Sequence, residues 1–196
     1  MTVATLLAHV GIEVPRYVTV DGEIVLDPSV SRTVSAAPLR IEPHRFHDGN
    51  DPAPARSRYE TAWWNTDREA RAADIDSMRA HFPGFLLHRE NGDYAWTGKI
   101  NTGRGTFAVL VLPHVDRSLP TIVPKIRNLG RAKGRRLCKP PHLYNSGALC
   151  VAATTDWDST RHTTATAVAW AAHWFAAYTE WRIRGYWPAD GYGAVA

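Results

Sequence analysis

Residues 164–184 read TATAVAWAAHWFAAYTEWRIR, and this run constrains the fold more than any other stretch of the chain. Trp170, Trp174, Ala177, Tyr178 and Trp181 recur at spacings of three and four, which puts them on one face of a helix. Gly185 follows and suits the left-handed stop of a helix. An aromatic face of this breadth needs a packed partner, because burying it away from water is what stabilises such a helix. The stripe therefore reads as core rather than as a ligand box.

The preceding residues offer that partner. Arg68 to His81 reads as a helix, with Asp67 as its N-cap and Ile75 and Met78 facing inward. Phe82-Pro83-Gly84 ends it. Three strands are expected next, over Phe85 to Arg89, Tyr94 to Ile100 and Thr106 to Leu112, with Asn91-Gly92 and Gly103-Arg104-Gly105 as turns. A Pro-rich crossing from Pro113 to Pro124 leads to Lys125 to Leu129, the expected fourth strand. A basic loop and Pro140-Pro141 then run into PPHLYNSGALCVAATTDWD. Helix, antiparallel meander, irregular segment and helix, in that order, predict an α+β fold.

Residues 1–69 read differently. A short helix is expected from Thr2 to His9, then a hairpin, YVTVDGEIVL, turning at Asp21-Gly22. Ala36 to Arg58 is spotted with Pro and Arg and has no period, so it wraps the surface or links. Tyr59, Trp63 and Trp64 mark the return to a packed body. The expected division is an N-terminal extension over 1–69, with no assigned role, and a domain over 70–196.

Hydrophobic residues make up 44% of the 196 and charged residues 21%, so the chain can bury a core. The longest strongly apolar run, Phe107 to Leu112, has the length of a buried strand and not of a membrane span. The opening MTVATLLAHVGIEVP lacks a basic start and a small-residue cleavage site, so no signal peptide is expected. With two cysteines, the reading is a reduced, cytoplasmic setting without disulfides.

The formal charge is +4, and Lys125, Arg127, Arg131, Lys133, Arg135, Arg136 and Lys139 concentrate much of it. That segment reads equally as a solvated loop or as a contact for an acidic partner or nucleic acid. It lacks the interleaved aromatics on which bases stack, which disfavours nucleic acid.

Two thiols are candidates for chemistry. Cys150 lies in the small, apolar run Gly147-Ala148-Leu149-Cys150-Val151-Ala152-Ala153, where a cysteine is more often a buried small hydrophobe. Cys138, beside Arg135, Arg136 and Lys139, is the rival, since neighbouring cations favour a thiolate. The two stand twelve apart with no Cys-x-x-Cys and no paired His, so no metal site is expected. NTGRGTF lacks the spacing and lysine of a phosphate loop, and no cofactor is expected. A cysteine protease needs a His base and an orienting partner, and with His142 and His162 available, spacing does not exclude one.

Several segments carry a resemblance when taken in order: MRAHFPGF, WTGKI, FAVLVLPHVDRSLPTIVPKI, PPHLYNSGALC and AWAAHWFAAYTEWRIRGYWPADGYG. Residues 70–196 resemble the ubiquitin-conjugating enzyme (UBC-like) family, most nearly the bacterial branch found in antiphage operons of the CBASS type. Aligned on Cys150, Pro140, Pro141 and His142 take the places of the family's His-Pro-Asn triplet. Trp157 follows at about the family's distance. His142 stands where eukaryotic members have Asn, and this looks usual for the bacterial branch.

The resemblance implies a UBC-like fold and an enzyme that carries an acyl group as a thioester on Cys150. An activating enzyme would load it with the C-terminus of a ubiquitin-like modifier or, in the CBASS branch, of a nucleotidyltransferase. An acceptor protein's lysine, or a thiol, would take it. His142 would steady the oxyanion or the loop, a role a His donor can fill. Asp156 and Asp158, flanking Trp157, would orient the incoming amine, while Trp157 packs beneath the loop. His162 reads as a helix-start residue rather than a base.

Overall fold

The computed structural model describes residues 14–30, 38–47, 61–90, 92–126, 129–133, 136–188 and 191–192. The helix expected from Thr2 to His9, and most of Ala36 to Arg58, lie outside the described residues.

The hairpin forms where the Asp-Gly turn signal placed it, though shorter. β1 (Tyr17–Val18) pairs antiparallel with β2 (Ile24–Val25), and β3 (Leu39–Arg40) joins the other side of β1. Gly22 takes φ 101°, a backbone that L side chains rarely adopt. β4 (His44–Arg45) follows, then a single helical turn, α1 (Trp63–Thr66), not foreseen from the sequence.

α2 (Arg68–His81) begins on Asp67, whose side chain accepts the Ala70 N–H at 2.8 Å as a capping carboxylate should. Met78 is buried, Ile75 half-buried and Asp74 buried beside them. The meander is β5 (Leu86–His88), β6 (Ala95–Asn101), β7 (Thr106–Leu112) and β8 (Thr121–Pro124), antiparallel and in that spatial order.

β8 corrects the expected fourth strand, which starts four residues before Lys125. A proline within a strand argues for a loop in a central position. β8 is an edge strand, where Pro124 needs no ladder donor on its open side, and it sits opposite Val109. The basic loop is also more ordered than expected, since β9 (Arg131–Lys133) and β10 (Arg136–Cys138) pair as a ribbon. Arg131 Nε donates to the Arg182 carbonyl, fixing this ribbon to the end of the long helix.

That helix, α3 (Thr164–Arg184), stops at Gly185 with φ 87°, and the Gly185 N–H donates to Trp181 O at 2.8 Å. The sheet packs on one side of it, with the Phe107 and Phe175 rings stacked 4.3 Å apart. Its burial exceeds one face. Trp170 and Trp174 are completely buried; on other sides Phe175 is completely buried as well, and His173 is buried too. Val18, Ile41 and Phe46 belong to the same core, and the Phe46 ring lies 5.1 Å from the His173 ring. β11 (Gly191–Tyr192) returns to pair with β4.

Candidate active site

The Cys150 segment leaves the sheet edge and ends at α3. Leu149 N–H donates to Ile122 O at 2.9 Å, fastening the segment to β8. A bridge between Leu143 and Leu149 and a turn closed by Tyr144 and Ala148 fold residues 143–149 into a small loop. Gly147, with φ 86°, lets it turn. His142 also adopts a positive φ, 55°, which is uncommon outside glycine and marks a conformation imposed by its surroundings.

Those surroundings are visible. The His142 carbonyl accepts two donors, the Cys150 N–H at 3.1 Å and the Trp174 indole N–H at 2.8 Å. Its ring Nδ1 meets the His47 carbonyl at 2.9 Å, so Nδ1 is the protonated nitrogen of that pair. His142 is thus tied to Cys150 through its main chain, while its ring faces Phe46 and Trp187.

Cys150 itself has 0% of its surface exposed. Both cysteines are thiols, and Cys138, on β10, is the more accessible of the two.

The acidic candidates part company. Asp156 Oδ2 accepts the Arg45 N–H at 2.7 Å. Asp158 folds onto its own turn, with Oδ1 accepting from both Thr160 N–H and Thr160 Oγ, and these bonds hold its carboxyl below the usual range. His162 Nδ1 accepts the Asp158 N–H at 3.1 Å, and burial lowers its pKa, so the neutral ring serves as an acceptor. Trp157 packs against the Trp170 and His162 rings and donates to Arg117 O at 2.8 Å.

Three groups beside the site had no sequence signal. His44 to His47 lies in a stretch without period. His173 was one position among the aromatics of α3. Trp187 belongs to the quoted Gly-x-Trp ending, yet nothing in that pattern placed its ring on His142. Among the described residues, no three of His, Cys, Asp and Glu gather closely enough to hold a metal ion.

The family model of type II CBASS E2 proteins matches residues 74–194, more than half of the chain. The chain belongs to this family. No curated protein and no solved structure matches it. As a type II CBASS E2 protein it is an E2-like member of an antiviral defence system, with partners among other CBASS proteins. The match takes in most of α2, the four-stranded sheet, the Cys150 segment and α3, whereas His44 to His47 lies outside it. No helix among the described residues is long and apolar enough to cross a membrane.

Proposed function

We propose that this CBASS E2 protein is a ubiquitin-conjugating-like transferase with a UBC-like fold, using Cys150 as its acyl carrier. What carries the reading is the tie between Cys150 and His142, set between an antiparallel meander and α3 in a chain of the E2 family.

In the first step the Cys150 thiolate attacks the thioester carbonyl of a carboxyl-activated protein held by an activating enzyme. A new C–S bond forms at Cys150, the old one breaks, and the activating enzyme's thiol leaves with the proton that Cys150 gave up. The protein transferred is a ubiquitin-like modifier or the C-terminus of a CBASS nucleotidyltransferase. In the second step a deprotonated amine attacks, the C–N bond forms, the C–S bond breaks, and the sulfur regains a proton from the amine. His142 holds the loop through its ring and carbonyl. Asp158, ionised by its turn, is the acid that orients the amine. The Cys150 thiol is fully buried, so each step requires local opening of the segment.

That burial favours a second reading, a UBC-like scaffold that binds modifier or partner without accepting it. Incubation with the cognate activating enzyme, ATP and modifier separates the two. The transferase reading expects an adduct cleaved by excess thiol, lost in Cys150→Ala and kept in Cys138→Ala. No adduct with a verified cognate pair sinks it.

A further inference from the structure

We infer that residues 44–47 form a strap that closes the Cys150 segment over its thiol, and that Asp156 is a positioning residue acting through this strap. The functional consequence rests on Cys150 being the acyl carrier; the strap itself does not.

The strap grips the segment on both sides of Cys150. Upstream, the His142 ring donates to His47 O at 2.9 Å, and the Phe46 ring lies 5.5 Å from the His142 ring. Downstream, Ala153 N–H donates to Arg45 O at 2.7 Å, and Arg45 N–H donates to Asp156 Oδ2 at 2.7 Å. Asp156 supplies the one charge-assisted bond of the three, the kind expected to be strongest.

The two faces of the segment are held unequally. Its floor is the core, where Leu149 joins β8 and Trp174 reaches the His142 carbonyl from α3. Opening there would expose buried aromatic surface. On the strap side, among the described residues, three hydrogen bonds to main-chain groups give way together with the ring contacts of Phe46 on His142 and His47 on Tyr144. Local opening on this side leaves the Leu149 bond to β8 and the Trp174 bond to the His142 carbonyl in place. A sulfur with 0% exposure needs such an opening before a protein-sized acyl donor reaches it.

The strap is braced from behind. β11 pairs with β4 through Gly191, and a Cβ there would run into the His44 carbonyl. Glycine is the residue that lets the C-terminal strand lie this close.

Thiol alkylation of the full chain, read by mass spectrometry at each cysteine, tests the strap. Cys138 is the internal control, because it lies on β10, apart from these bonds. In the unaltered chain Cys138 should label ahead of Cys150. Asp156→Ala removes the acceptor and should raise the Cys150 rate about tenfold with Cys138 unchanged. Asp156→Asn keeps an acceptor oxygen and should restore most of the protection. Gly191→Ala strains the strap from its other edge and should give the same selective rise.

An unchanged Cys150 rate in both alanine variants overturns the inference. So does a parallel rise at both cysteines, which is general loosening, or an Asn variant as reactive as the Ala variant. Labelling uses no activating enzyme, modifier or ATP. Failure of the adduct assay therefore leaves the strap standing, and failure of the strap leaves the adduct assay standing.

Discussion

His173 Nδ1 donates to His44 Nε2 across 3.0 Å, in a buried chain whose proton direction is set at both ends. At one end His44 Nδ1 meets the Glu42 carbonyl, which accepts only, at 2.9 Å. At the other, the Arg16 guanidinium, which donates only, meets His173 Nε2 at 2.8 Å. Both rings must be neutral for Arg16, His173, His44 and Glu42 to connect in this order. A proton added to either ring sets two N–H groups face to face or turns one toward Arg16.

This arrangement makes folding sensitive to acid. Burial lowers the His44 pKa from 6.5 to about 4, against opposing pulls from the Glu42 carbonyl and then Asp156, and lowers that of His173 in the same direction. The unfolded chain then binds more protons than the folded one between those values, so stability rises with pH there. Full stability is expected above pH 6.5, with a loss at His44 on the order of 3 kcal/mol as pH falls toward 4. His44→Gln should flatten that part of the stability curve, measured by urea denaturation across pH. Parallel curves for the two chains would disprove the assignment.

Asp74 joins α2, the start of α3 and Tyr94, just before β6, at one buried carboxyl. It accepts from Tyr94 OH at 2.9 Å, from Thr164 N–H at 2.6 Å and from Thr164 Oγ at 2.9 Å. Burial raises its pKa despite these donors. Asp74→Ala would leave the donors buried and unpaired, and should cost about 3 kcal/mol or more. Asp74→Asn keeps one acceptor oxygen and should cost less. Equal midpoints in chemical denaturation for the two variants would show that packing volume, not hydrogen bonding, accounts for the loss.

Among the described residues, the buried Trp187 indole N–H has no acceptor, although its ring packs on Phe46, His142 and Trp174. Trp187→Phe keeps an aromatic ring and removes that donor. It should change stability by no more than about 1 kcal/mol, whereas Trp187→Ala should cost about 3 kcal/mol. Thermal melts of the two variants distinguish ring packing from a role for the nitrogen. A Phe variant as unstable as the Ala variant points to the nitrogen.

Gly98, within WTGKI, lies on β6 directly under the Phe85 ring, and a Cβ at this position would overlap that ring. Gly98→Val should displace Phe85 and cost about 2 kcal/mol, despite the higher strand propensity of valine. A neutral or stabilising effect in a denaturant titration would show that Phe85 moves aside freely.

The parts of the fold legible in the sequence are those with a local signature. α2 announced itself by a cap and an inward pair, and Asp67 caps it as expected. β6 and β7 alternate about recognisable turns, and α3 ends at its glycine. β8 was misplaced because a proline reads the same in a loop and in an edge strand until the sheet order is known. The Cys150 segment was legible as a pattern, but its hydrogen bonds were not.

By itself, then, the sequence determined the order of helix, meander and helix, the place of the Cys150 segment between them, and the family resemblance. Periodicity, turns and caps are properties of neighbouring residues, so a linear reading reaches them. Tertiary structure alone decided that His44 meets His173, 129 residues away, that His47 meets His142, 95 away, and that Asp156 turns to Arg45. It also decided that Cys150 lies shut beneath the surface. These contacts exist because burying α3 brings an aperiodic stretch against it, and no local rule encodes which residues of that stretch will meet their partners.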